Sequence, residues 1–166
     1  MPRLNGAGIA TLAIDQRGAG RSLGPQNGSG APWNTSNDIA GAVEWLARKG
    51  FSRGRIGLAG ASYGANNALI YAAAHPVVPA VALLSPGANY NGLVSTPAAA
   101  RDKGAILVLT AKDDPVTGGG PAAITKAHVR GTIQLVTYRG SVHGTGLLTA
   151  EPGSLQALTD FFGRRL

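Results

Sequence analysis

The sequence predicts an α/β fold, a mainly parallel sheet with helices on both faces, from three observations. Short apolar runs alternate with helical segments along the chain, several of those runs are unbroken rather than alternating in polarity, and turn-forming residues separate the elements. A strand buried on both faces reads as a continuous apolar run, and strands separated by helices pair in parallel with the helices packed over the sheet.

The first run, residues 8–14 (GIATLAI), ends in Asp15-Gln16-Arg17-Gly18 and predicts a strand. A stretch rich in Gly, Pro and Asn, residues 18–33, predicts a long loop. Thr35-Ser36-Asn37-Asp38 has the pattern of a capping box and precedes Ile39, Val43 and Leu46 at i, i+4 and i+7. With Lys49 in the last turn and Gly50 beyond it, this segment predicts an amphipathic helix.

Residues 55–59 predict a second strand, residues 63–74 an alanine-rich helix, and residues 80–84 a third strand closed by Ser85-Pro86-Gly87. Residues 85–104 read as a loop, and residues 105–109 (AILVL) as a strand that runs into a turn at Asp114-Pro115. A helix follows Pro121, then a strand over residues 132–137, a loop over 140–146, and a last helix with Leu155, Leu158 and Phe162 facing inward. No internal repeat is present, and one domain over residues 1–166 is expected.

Composition narrows the function classes. Hydrophobic residues make up 44% of the chain and charged residues 14%, a balance suited to a packed core, and no apolar run approaches the ~18 residues of a membrane-spanning helix. The apolar run ending at Ile14 meets Asp15 and Arg17 without the layout of a secretory signal, so a cytoplasmic location is expected. The absence of cysteine excludes disulfides, a thiolate nucleophile and thiolate-bound zinc. The net charge of +7 comes from scattered basic residues without stacking aromatics between them, which argues for a solvated surface and against nucleic-acid binding.

Gly60-Ala61-Ser62-Tyr63-Gly64 is a G-x-S-x-G sequence between a predicted strand and a predicted helix. That context allows a nucleophile elbow: the serine sits on a strained turn, and the flanking glycines let neighbouring backbone pack close. The plainer alternative is a glycine-rich turn in which Ser62 bonds only to nearby backbone. A serine hydroxyl needs a base to take its proton. Of the three histidines, His75 and His128 sit at predicted helix ends, where they can favour the helix dipole, whereas His143 lies in a loop after the last strand.

The base in turn needs a carboxylate, and the turn after residues 105–109 offers Asp113 and Asp114. Asp114, next to Pro115, is favoured, with Asp113 as the alternative. The order Ser62, Asp114, His143 places each group after its own strand.

The stretches IDQRGAGRS (residues 14–22), RIGLAGASYG (residues 55–64), LSPG (residues 84–87), the Asp114 turn and GSVHGT (residues 140–145) together resemble the α/β-hydrolases, in particular bacterial dienelactone-hydrolase-like and esterase-like enzymes. The resemblance implies Ser62 as nucleophile, His143 as base and Asp114 as its acid, acting through an acyl-enzyme on a small ester-like or lactone-like substrate with no cofactor or metal. It also implies that the Tyr63 backbone N–H is one oxyanion donor. Its partner in the family lies on a loop after a strand that would precede residue 8, and no counterpart occurs here. Two outcomes are therefore expected: the chain is an N-terminally truncated piece of a longer hydrolase, or the first strand shifts into the empty position. Two further functions remain open, a non-catalytic remnant that binds a partner or small molecule, and an acyltransferase using the same triad. Residues 85–104 are too few to hold the lid domain that related enzymes insert, so an open site is expected.

Overall fold

The computed structural model describes residues 2–25 and 35–166. Four strands form one parallel sheet: β1 (Leu58–Ala61), β2 (Ala80–Leu84), β5 (Ala105–Ala111) and β6 (Thr132–Tyr138), in the order β1-β2-β5-β6. A small antiparallel hairpin, β3 (Asn89–Tyr90) and β4 (Leu93–Val94), lies between β2 and β5 in sequence. The helices are α1 (Pro2–Gly6), α2 (Ser36–Arg48), α3 (Tyr63–Ala74), α4 (Thr96–Arg101), α5 (Gly120–Ala127), α6 (Leu147–Ala150) and α7 (Pro152–Gly163).

The sheet is covered on both faces, as predicted. Side chains alternate across a strand, so β2 sends Val81 and Leu83 to one face and Ala80, Ala82 and Leu84 to the other. β5 does the same with Ile106 and Val108 against Leu107 and Leu109. The first set packs with Val43 of α2, Ala65, Leu69 and Ala72 of α3, Ala98 of α4 and Ile124 of α5. The second packs with Leu4 of α1, Leu147 of α6, and Leu158, Phe161 and Phe162 of α7. Every residue of β2 and β5 is buried, which is why both read as unbroken apolar runs. The final helix turns Leu158 and Phe162 inward as predicted, with Leu155 partly buried beside them.

The segment over residues 8–14 departs from expectation. It forms no strand and pairs with none among the described residues, and Leu12 and Ile14 stay about 40% exposed (40% and 41%). An apolar run becomes a strand only when its backbone groups pair with an edge, and this one is not laid against the open edge of β1. The expected shift into the empty sheet position therefore does not occur, and the sheet ends at β1. The motif that follows is nonetheless ordered as a turn: Asp15 accepts from the backbone N–H of Arg21, and Ser22 Oγ donates to the Asp15 carbonyl.

Three other boundaries differ. The strand expected over residues 55–59 begins at Leu58, because Arg53–Arg55 form a 3-10 turn. Thr35 makes no side-chain cap on α2; instead the Asp38 carboxylate binds the Arg17 guanidinium at 2.8 Å and the Arg17 backbone N–H at 3.1 Å. A charge-assisted forked contact outcompetes the local capping geometry. The region expected as a loop, residues 85–104, holds the β3–β4 hairpin and α4. Of the loop expected over residues 18–33, residues 26–33 lie outside the described residues. Among the described residues no helix is long and apolar enough to cross a membrane.

Candidate active site

Parallel strands bring their C-terminal ends to one edge of the sheet, and all three predicted site residues follow such ends. Ser62 follows β1, the Asp114 turn follows β5, and His143 lies in the loop after β6. Ser62 has φ 55 and ψ −130, a left-handed conformation rare for a residue with a side chain. Such strain costs on the order of 1–3 kcal/mol and persists only where the surroundings impose it. Here the Ser62 N–H extends the sheet ladder to the Leu84 carbonyl at 2.8 Å, while the Ser62 carbonyl already accepts from Ala65 N–H at 2.9 Å in the first turn of α3. The residue is pulled into the sheet on one side and the helix on the other. Gly60 makes this turn possible, since a Cβ there would strike the Gly64 carbonyl and sit 2.7 Å from the Ala65 nitrogen. Tyr63 opens α3 directly after the serine, at the end where a helix presents backbone N–H groups.

Asp114 and His143 are brought together. His143 Nδ1 lies 2.8 Å from Asp114 Oδ2 and 3.0 Å from Oδ1. The carboxylate side chain is fully buried, the imidazole 28% exposed, and Oδ1 also accepts from Val116 N–H at 3.0 Å. The ladder between β5 and β6 continues into both loops, with Lys112 N–H on the Tyr138 carbonyl at 2.9 Å and Asp113 N–H on the Gly140 carbonyl at 3.0 Å. It fixes the acid turn against the histidine loop, with Asp114 inward and Asp113 exposed. Gly144, next to His143, packs against the Ser62 turn: a Cβ on it would stand 3.7 Å from Ala61 Cβ.

The other histidines are accounted for by local contacts. His75 stacks on Tyr71 at 3.9 Å and its Nδ1 lies 2.8 Å from the Tyr71 carbonyl. His128 is buried with Nδ1 3.1 Å from the Ala99 carbonyl. No group of three or more His, Asp or Glu side chains arranged for a metal ion occurs among the described residues.

Two residues that sequence reasoning passed over also stand here. Tyr90, in β3, donates its hydroxyl to the Ser85 carbonyl at 3.1 Å. Burial raises its pKa, the Ser62 side chain lowers it in part, and the charge of Asp114 raises it further. The Gln16 amide lies against the elbow, its Nε2 3.8 Å from where a Gly64 Cβ would be. A hairpin signal was present for Tyr90: Asn91-Gly92, both with positive φ, form the tight turn between β3 and β4. A surface depression of about 300 Å³ lies between Pro76, Lys103, Gly131 and Arg165 at the opposite ends of the strands, remote from Ser62.

The sheet order, the serine turn between β1 and α3, and the helices on both faces define an α/β-hydrolase fold. The model of the X-Pro dipeptidyl-peptidase (S15) family matches residues 3–117, and the chain belongs to that family. Solved structures agree on the fold. A monoacylglycerol lipase from Paleococcus ferrophilus superposes with a TM-score of 0.76 at 16% identity, over 99% of this chain and 87% of that one. Acetyl xylan esterase 1 from Thermoanaerobacterium sp. gives 0.71 at 16% identity, over 98% and 68%. A puromycin-hydrolyzing peptidase from Mycobacterium tuberculosis gives 0.65 at 18% identity over 79% of this chain, which spans only 25% of that enzyme's length. No curated protein sequence matches the chain.

Proposed function

We propose that the chain is a serine hydrolase that cleaves a small ester-like or lactone-like acyl substrate through Ser62, His143 and Asp114. The observation that carries this reading is the buried Asp114 carboxylate on His143 Nδ1 at 2.8 Å, in a loop whose Gly144 packs against Ala61, the neighbour of a serine with φ 55. With Nδ1–H held by Asp114, Nε2 is the nitrogen left to act as base. In the proposed reaction Ser62 Oγ attacks the acyl carbon as Nε2 takes its proton, and the Tyr63 N–H supports the oxyanion. The imidazolium then protonates the leaving oxygen as the tetrahedral intermediate collapses to an acyl-enzyme. A water, deprotonated by His143, attacks the acyl carbon and returns the serine.

A second reading is favoured by one observation, the match to a peptidase family: the scissile bond is an amide and the leaving group an amine. The acyl-enzyme is the same, and the two differ in how strongly His143 must protonate the departing group.

A fluorophosphonate probe reports an activated serine whatever the substrate. Labelling the folded chain and sequencing the adduct by mass spectrometry should place it on Ser62, with loss in Ser62→Ala and His143→Ala and retention in His75→Ala. A folded chain that takes no label, or takes it on another serine, would overturn both readings.

A further inference from the structure

Ser85 follows β2 as Ser62 follows β1, and it too is a non-glycine residue in the left-handed region, with φ 48. It is fully buried, and its N–H extends the ladder to the Leu109 carbonyl at 2.8 Å. Its side chain makes a connection that the ladder does not need: Oγ accepts the Gly144 N–H at 2.9 Å. Gly144 adjoins His143, so one buried hydrogen bond ties the end of β2 to the backbone that carries the imidazole.

Its carbonyl is held as well. A phenol has a single proton, and Tyr90 commits it to the Ser85 carbonyl at 3.1 Å, which leaves the phenol oxygen able to accept. The phenol is held in place: its ring lies on Gly87, where a Cβ would come within 2.5 Å of it, and the buried Asn66 amide clamps the Gly87 backbone, accepting its N–H at 3.1 Å and donating to its carbonyl at 3.0 Å.

We infer that Ser85 and Tyr90 are positioning residues for the proposed site, the Ser85 hydroxyl fixing the His143 loop through Gly144 and the Tyr90 phenol holding Ser85 in place through its carbonyl. The inference rests on the serine-hydrolase reading. Neither side chain exchanges a proton with substrate; both act through the loop that carries His143. Substrate binding is then nearly independent of both, and the chemical step is not.

The test compares wild type, Tyr90→Phe, Ser85→Ala and Ser85→Gly in the full chain. Glycine accepts the backbone angle at position 85 and removes the same hydroxyl, so it separates loss of the hydrogen bond from strain. The readouts are the fluorophosphonate labelling rate, kcat and KM for an activated acetate ester, and the melting temperature. All three variants are expected to label about tenfold more slowly or worse, with kcat reduced to match and KM within about twofold of wild type. Variants that label at the wild-type rate while wild type labels on Ser62 would overturn this inference and leave the hydrolase reading standing. A rise in KM with kcat unchanged would make Tyr90 a substrate contact and also overturn it. A wild-type chain that takes no label would overturn the hydrolase reading and this inference together.

Discussion

The Asp114 carboxylate holds His143 Nδ1 at 2.8 Å from full burial, while Asp113, one residue earlier, turns its side chain to solvent and lends the loop only its backbone N–H. Adjacent carboxylates thus have separate environments, and their substitutions should separate as well. Asp114→Asn removes the charge that stabilises the imidazolium and disturbs the tautomer, a loss on the order of 10³ to 10⁴ in kcat in comparable triads. Asp113→Asn keeps the backbone bond and should leave kcat within about twofold, as expected for a surface change remote from the chemistry. Steady-state hydrolysis of an activated ester by the two variants checks this; equal losses would reassign the acid.

The elbow rests on a glycine that has no room to be anything else. A Cβ on Gly60 would collide with the Gly64 carbonyl and the Ala65 nitrogen, both backbone atoms of α3 that cannot rotate away. Gly60→Ala should therefore push helix from strand, cost about 1–3 kcal/mol by overpacking, and abolish labelling of Ser62. Gly41, in the middle of α2 with nothing within 4 Å of a Cβ, is the contrasting case. Gly41→Ala should stabilise the chain by about 0.5–1 kcal/mol through helix propensity and leave labelling untouched. Urea denaturation of both variants measures the opposite signs.

What was legible from sequence, and what was not, follows from the range of the interactions involved. Strands β2 and β5 announced themselves because each is buried on both faces, and α3 because it follows the elbow directly. The three proposed site residues each follow a strand, so the parallel topology alone carries them to one edge. Residues 8–14 misled because an apolar run does not say whether it will be laid against an open edge, here that of β1. The Asp38 capping pattern misled because Arg17, 21 residues away, is a stronger partner than the local N–H. Tyr90 was missed for a related reason: its place on the Ser85 carbonyl depends on a two-residue turn at Asn91-Gly92 and on the buried Asn66, neither of which marks a tyrosine as special.

A pH-dependent contribution to stability is expected from Asp102, which is 2% exposed at the end of α4. Burial raises its pKa, an effect offset in part by the charge of His128 and by the Gly104 N–H it accepts at 3.1 Å. A carboxyl whose folded pKa lies above its unfolded one favours the fold in its neutral form. The contribution is complete below the unfolded pKa and is lost as pH rises through the folded value. Asp102→Asn keeps an acceptor for Gly104 and cannot ionise, so the stability of the variant relative to wild type should increase from acid to neutral pH. Urea midpoints of the two proteins at matched pH values test the sign; a constant difference would show that Asp102 does not titrate differently on folding.

Asn66 offers a test of how the hairpin is held over the site. Its amide is fully buried on α3, donating to the Gly87 carbonyl at 3.0 Å and the Leu93 carbonyl at 2.7 Å while accepting the Gly87 N–H at 3.1 Å. Ser95 Oγ also donates to the Gly87 carbonyl at 2.8 Å, so that oxygen keeps a partner when Asn66 is removed, whereas the Gly87 N–H loses the one Asn66 supplies. Asn66→Ala therefore deletes three hydrogen bonds inside the protein and should cost about 2–5 kcal/mol, near the upper end of single-residue effects. Asn66→Asp retains the acceptor but loses both donors and buries a charge, and should be no better tolerated. Because Gly87 is also the seat of the Tyr90 ring, the damage should be local before it is global. Amide hydrogen exchange at Gly87 and Leu93 should accelerate in Asn66→Ala by a larger factor than exchange in β5, whereas equal acceleration at both places would mean that Asn66 supports the core as a whole and not the hairpin.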